Sequence, residues 1–158
     1  IFSAERVLKK YPDWCFNIYG DGPERLRLER IIREYKLEDK IIIKGYENDK
    51  RIIYGDKSFF VMTSQFEGFG MVLLEAMQHK LPIISYNINY GPKEIIENGM
   101  NGFLVESGNI DLLSERISEL IEDADNRRMM SDMAYKSLSR FDEEIIINQW
   151  IDLFEELA

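Results

Sequence analysis

Residues 59–78 constrain the fold more than any other stretch of the chain. Phe59-Phe60-Val61-Met62 is short, apolar and aromatic, which reads as a buried strand. No glycine or proline interrupts residues 71–78, which read as a helix. Between them lies a turn holding Gly68 and Gly70 with the aromatics Phe66 and Phe69. A helix that starts after such a turn leaves the N–H groups of its first turn without partners. Those groups and the helix dipole suit an anion. Glu67 stands just before that point, and Glu75 stands one to two turns inside a helix that is otherwise apolar here. A carboxylate among apolar neighbours is costly to bury unless something hydrogen-bonds to it. The stretch therefore describes a phosphate-sized gap with a carboxylate on either side. In that reading Gly70 approaches the phosphate closely, and a side chain there is expected to crowd the ligand and to strain the turn. A second reading is open on the residues alone: Glu67 as a solvated first-turn acid and Glu75 as a surface residue on a half-exposed helix.

The remaining chain alternates between the two kinds of element. Ala4, Val7, Leu8 and Tyr11 have helical spacing, and Pro12-Asp13 stops that helix. Residues 14–19 read as a strand, followed by Gly20-Asp21-Gly22-Pro23-Glu24 and a helix to about Tyr35 with Leu28, Ile31, Ile32 and Tyr35 on its apolar face. Arg25 stands where a dinucleotide fingerprint needs its third glycine, so Gly20 and Gly22 read as a tight turn. Residues 40–44 form a strand closed by Gly45-Tyr46, and residues 48–57 a short helix anchored by Ile52, Ile53 and Tyr54. Beyond the central stretch come a strand from Pro82, a turn at 89–92, the turn glycines Gly99 and Gly102, and a strand at 103–105. Asn109 is placed to cap a helix with Leu113, Ile117, Leu120 and Ile121 on one face. Another helix carries Met129, Met130, Met133 and Ala134, and Asp142 is placed to cap a last one with Ile147, Trp150, Ile151 and Phe154 along a stripe. That stripe either packs on this domain or faces a partner outside it. The order predicts an α/β domain: a Rossmann-like, mostly parallel sheet flanked by helices, with a helical C-terminal tail. Right-handed crossovers bring the strands' C-terminal ends to one rim, where ligands bind in open α/β sheets.

With 158 residues the chain suits one domain. A formal net charge of −9 leaves no basic surplus for nucleic acid. The one cysteine, Cys15, cannot form an internal disulfide, which fits a reducing cytoplasm. No apolar run approaches the ~20 residues of a membrane span. No cluster has metal-ligand spacing, so no protein-held metal is expected. His79, the single histidine, reads as a residue favoured near a helix C-terminus. The chain opens on Ile1 rather than methionine, which suggests a single domain, 1–158, truncated at its N-terminus.

The block Ser-x-x-Glu-Gly-Phe-Gly-x-x-x-x-Glu-Ala-Met at 64–77 places seven residues between Glu67 and Glu75. It closely resembles the E-x7-E signature of the retaining glycosyltransferases of family 4, the "group 1" glycosyl transferases. Gly20-x-Gly-Pro-Glu, Gly91-Pro-x-Glu-Ile-Ile and Gly99-x-Asn-Gly-Phe-Leu-Val are similar to the same family, so the resemblance runs nearly the whole chain. Lys80 departs from it, standing where the family has a glycine at a helix C-cap; a lysine held left-handed there should cost about 1–2 kcal/mol. The resemblance implies the donor-binding half of a two-domain GT-B fold. It implies transfer of a sugar from a nucleoside-diphosphate-sugar, with a UDP-sugar the expected donor, to a hydroxyl acceptor in surface polysaccharide or lipopolysaccharide synthesis, and no cofactor. By motif position Glu75 holds the ribose hydroxyls, the N–H groups of Gly70, Met71 and Val72 meet the diphosphate beside Gly68, and Glu67, as the catalytic carboxylate, lies with Phe69 by the sugar. Gly45 and Tyr46 lie beside the base; Tyr46 also reads as a half-buried aromatic. The family's first strand, the arginine and lysine after it, and the acceptor domain are absent. The implied location is the cytoplasm, with peripheral association of the full-length protein at the inner face of the membrane. Two other classes stay open: a nucleotide-binding regulatory module without chemistry, and another GT-B enzyme such as a phosphorylase or sugar-nucleotide epimerase.

Overall fold

A computed structural model describes residues 1–157. The chain runs α1 (Phe2–Lys10), β1 (Phe16–Tyr19), α2 (Arg25–Glu34), β2 (Ile41–Gly45), α3 (Lys50–Tyr54), β3 (Phe60–Met62), α4 (Met71–Gln78), β4 (Ile83–Asn87), α5 (Pro92–Ile95), β5 (Gly102–Glu106), α6 (Ile110–Glu122), α7 (Ala124–Ser137), a short 3-10 turn (Leu138–Phe141) and α8 (Glu143–Glu156). All strand pairing is parallel, as the alternation of strands and helices requires. β4 is buried from Ile83 to Tyr86, the near-continuous apolar run of a strand covered on both faces. Its successive residues feed opposite cores: Ile83 packs with Leu73, Met77 and Ile95, and Ile84 with Val105, Leu113 and Ile117. Gly102 opposes Ile83 in the register. A Cβ there would lie 2.3 Å from the Ile83 carbonyl oxygen, so this glycine serves a close strand approach inside β5 rather than a turn.

The local signals hold at several ends. Asn109 accepts from the Leu112 N–H at 3.0 Å and so caps α6. Lys80 is left-handed, with φ 56°, and keeps the turn through its N–H to the Met77 carbonyl at 2.9 Å. Asp142 sits at the N-cap of α8, yet its side chain makes no cap hydrogen bond. No residue of α8 is buried, and Trp150 and Phe154, stacked on each other, are 56% and 64% exposed. The apolar stripe of α8 is therefore not packed on this domain.

The sheet comes in two pieces, β1-β2 and β3-β4-β5. Phe16 donates to Lys40 in the β2 direction and Phe60 donates to Pro82 in the β4 direction, at 2.7 and 3.0 Å. Alternate peptide groups of a parallel strand point to opposite neighbours, so those of Asn17 and Val61 turn the other way, toward a groove between β1 and β3. That groove measures about 1220 Å³. One of its sides carries Ala4, Leu113 and Ile117 from α1 and α6, and the other Ile53, Tyr54 and Val72 from α3 and α4. Phe59 bridges it near one end, stacked on Trp14 at 5.6 Å and edge-on to Phe16 at 6.3 Å.

Candidate functional site

Gly70 ends the 63–70 loop in a left-handed conformation, φ 86° and ψ 50°, which turns the chain into α4. No side chain caps the helix. Among the described residues no acceptor takes the N–H groups of Gly70, Met71 or Val72. Met71 and Val72 are exposed. The start of α4 is therefore an open set of donors at the positive end of a helix dipole.

Gly70 has no room on its core side. A Cβ there would lie 3.3 Å from Leu73 Cδ1 and 3.9 Å from Met62 Cε. It would point into the core, so a side chain would strain the turn, as expected, and disturb the packing as well. The loop is held from its other side by Gly91, whose Cβ would fall 2.4 Å from the Phe69 carbonyl oxygen. Phe69 also packs edge-on against Phe141 at 5.8 Å. Glu67 is half-buried and Gly68 exposed.

Glu75 is neither lone nor freely solvated. Lys50 Nζ and the Tyr54 hydroxyl both donate to its Oε2, at 2.7 and 2.9 Å. Burial alone would raise the Glu75 pKa, but the bonds from Lys50 and Tyr54, with the nearby His79, outweigh it and hold the carboxyl below its ordinary value. Burial, and then the bond to Glu75, push the Tyr54 phenol up, so it stays a donor. Lys50 and Tyr54 ride on α3, whose N-cap Asp49 accepts from the Arg51 N–H at 2.9 Å. The Arg51 guanidinium holds that aspartate at about 2, so the cap stays ionised through the neutral range. His79 closes α4 and places Nδ1 2.9 Å from the Glu75 carbonyl oxygen.

Gly45 ends β2 with φ 77°, and its carbonyl accepts from the Gly20 N–H at 2.7 Å. Tyr46 is 76% exposed, with its hydroxyl bonded to Asn48 Oδ1 at 2.6 Å, so it is not a half-buried aromatic. The structure brings Tyr46, Val72 and Glu75 to the wall of the same groove, together with Lys50 and Tyr54. Gly45 at the end of β2, Glu67, Gly68, Phe69 and Gly70 in the loop before α4, and Met71 at the start of α4 are not part of that wall. Sequence reasoning treated Tyr54 as a packing anchor and passed over Lys50. Their shared target lies 21 and 25 residues away, and no local pattern carries that pairing.

A sequence model of the family described as Glycosyl transferases group 1 matches residues 1–137. The poly(ribitol-phosphate) alpha-N-acetylglucosaminyltransferase of Staphylococcus aureus (strain COL) is 32% identical over 155 residues, covering 96% of this chain and 31% of that protein. The chain thus spans about a third of that relative's length. The C-terminal domain of a group 1 glycosyl transferase family protein from Francisella tularensis superposes with a TM-score of 0.78 and 31% identity, over 87% of this chain and 74% of that one. The pneumococcal O-GlcNAc transferase GtfA, solved with UDP and GlcNAc, gives a TM-score of 0.85 and 29% identity, over 98% of this chain and 32% of that one.

Proposed function

The chain belongs to the glycosyl transferases group 1 family, and from that premise we propose that it is the donor-binding half of a retaining GT-B enzyme. The enzyme moves a sugar from a nucleoside-diphosphate-sugar to a hydroxyl acceptor in the synthesis of a surface polysaccharide or lipopolysaccharide. The observation that carries this reading is the open set of N–H groups on Gly70, Met71 and Val72, about one helical turn from a carboxylate that its neighbours keep ionised. The donors meet the diphosphate beside Gly68. Glu75 takes the ribose hydroxyls, and Tyr46, exposed beyond Gly45, stacks on the base. Glu67 and Phe69 lie by the sugar. As the bond between the sugar's anomeric carbon and the diphosphate oxygen breaks, its electron pair leaves with the diphosphate, and fixed N–H dipoles stabilise the growing charge there. A UDP-sugar is the donor best supported, since the pneumococcal relative was solved with UDP and GlcNAc.

The groove between β1 and β3 supports the reading of a domain that continues upstream of Ile1. It has open peptide groups on both long sides and helices above and below, which suits one more parallel strand. Ser3 Oγ bonds to the Ile110 carbonyl at 3.4 Å, so α1 begins beside the start of α6, at the rim where β5 has just ended. A strand that ended at this rim would enter α1 by a short turn and reach β1 by the usual right-handed crossover. The acceptor half belongs to that longer polypeptide.

The test is a melting experiment with UDP, GDP and ADP. UDP at ten times its Kd should add about 1.4 kcal/mol, or roughly 4 °C. Glu75→Gln should cut the shift given by UDP more than that given by its 2′,3′-dideoxy analogue. Equal losses for the two ligands would remove Glu75 from the ribose.

A further inference from the structure

Lys50 and Tyr54 converge on one oxygen of Glu75, Oε2, at 2.7 and 2.9 Å. Among the described residues nothing bonds to Oε1. Tyr54 is buried, whereas the Lys50 side chain is half exposed on the groove wall. An ammonium carries three N–H donors, and Lys50 directs one of them to Glu75. The wall therefore presents a carboxylate oxygen with free lone pairs next to an ammonium with N–H groups to spare. A carboxylate alone accepts from hydroxyls but offers nothing to their oxygens. The pair offers both, side by side, which suits two adjacent hydroxyls that each donate and accept.

We propose that Lys50 is a ligand-binding residue, and that Lys50 and Glu75 form a two-point seat for a vicinal diol: one hydroxyl donates to Glu75 Oε1, and its neighbour accepts from Lys50 Nζ. Tyr54 is the positioning residue that fixes Oε2 and so turns Oε1 toward the groove. This rests on the reading of Glu75 as the ribose contact and adds to it a second contact, from another element, with the opposite hydrogen-bonding role. A half-exposed ion pair of this kind contributes little to folding. Removing Lys50 therefore leaves the fold standing and lets binding be read on its own.

The experiment is isothermal titration of the 158-residue chain with UDP, 2′-deoxy-UDP and 3′-deoxy-UDP, for the wild type and for Lys50→Met, Lys50→Arg, Tyr54→Phe and Glu75→Gln. The wild type should prefer UDP to both deoxy analogues by about tenfold, the size of a hydrogen bond to a charged group. Lys50→Met should weaken UDP about tenfold, yet leave unchanged the analogue that lacks the hydroxyl Lys50 serves. Lys50→Arg should recover part of the loss. Tyr54→Phe should narrow the preference against both analogues, and Glu75→Gln should lose it. Lys50→Met binding UDP as well as the wild type, or more tightly, overturns the inference, because Lys50 is then a bystander or a competitor for Glu75. If Glu75→Gln still discriminates against the analogues less than the wild type in that case, the ribose reading stands and only Lys50 falls. A wild-type chain with no preference for the ribose hydroxyls overturns both.

Discussion

Gly91→Val is expected to unfold the 63–70 loop and remove nucleotide binding with it. Gly91 sits at φ 87° and ψ −81°, a conformation closed to β-branched residues. An added Cβ would lie 2.4 Å from the Phe69 carbonyl oxygen and 2.8 Å from its carbon, and backbone atoms cannot swing aside as a flexible side chain does. Strain and clash together should cost about 3 kcal/mol or more, near 10 °C in melting temperature for a chain of this size. Gly99→Ala is the matched comparison. Gly99 also has positive φ, 83°, but no atom lies within 4 Å of its Cβ position, so the substitution should cost about 1 kcal/mol and leave binding intact. The readout is urea unfolding alongside UDP titration. A Gly91→Val chain that melts like the Gly99→Ala chain would mean that the 89–92 turn does not brace the site.

The 158-residue chain alone is expected to transfer no sugar, whereas, on the proposed reading, a longer protein that joins it to an acceptor half should do so. Positioning two reactants can supply roughly 7–11 kcal/mol of a barrier, and in this reading half of the positioning surface belongs to the acceptor half. Closure of two halves also keeps water from the donor. In the longer protein Glu67→Ala should lower turnover about a hundredfold or more while changing the affinity for bare UDP by less than threefold, as expected of a group that acts at the sugar. Product analysis after incubation with candidate UDP-sugars and an acceptor polymer reads both effects. Turnover by the short chain, sensitive to Glu67→Ala, would show that this domain is self-sufficient.

The sequence carried what is encoded locally. The Asn109 cap, the left-handed turn at Lys80 and the stripe of α1 each depend on residues within a few positions of one another. So does the glycine turn that opens α4 and leaves its first N–H groups without acceptors. What escaped depends on contacts between distant segments. Glu75 drew attention as a carboxylate in apolar surroundings, but its partners lie on α3, across a loop and a strand. Gly70 and Gly91 are both glycines of turns; which of them faces the core and which abuts Phe69 is decided by packing alone. The division of the sheet into β1-β2 and β3-β4-β5 is equally non-local, because each strand reads the same whether its neighbour is present or not. The stripe of α8 is amphipathic on paper, and only the fold shows that this domain leaves it exposed.

The central claim is that the start of α4 holds the diphosphate of a nucleotide whose ribose reaches Glu75. Titrating the ¹⁵N-labelled chain with UDP and following its amide resonances tests this most directly. The expected result is saturable movement of the Gly70, Met71 and Val72 amides, with uridine alone moving them far less because it lacks the phosphates, and with the surroundings of Lys50 and Glu75 responding to both ligands. UDP that binds while the three amides stay still, or uridine that moves them as far as UDP does, would contradict the claim.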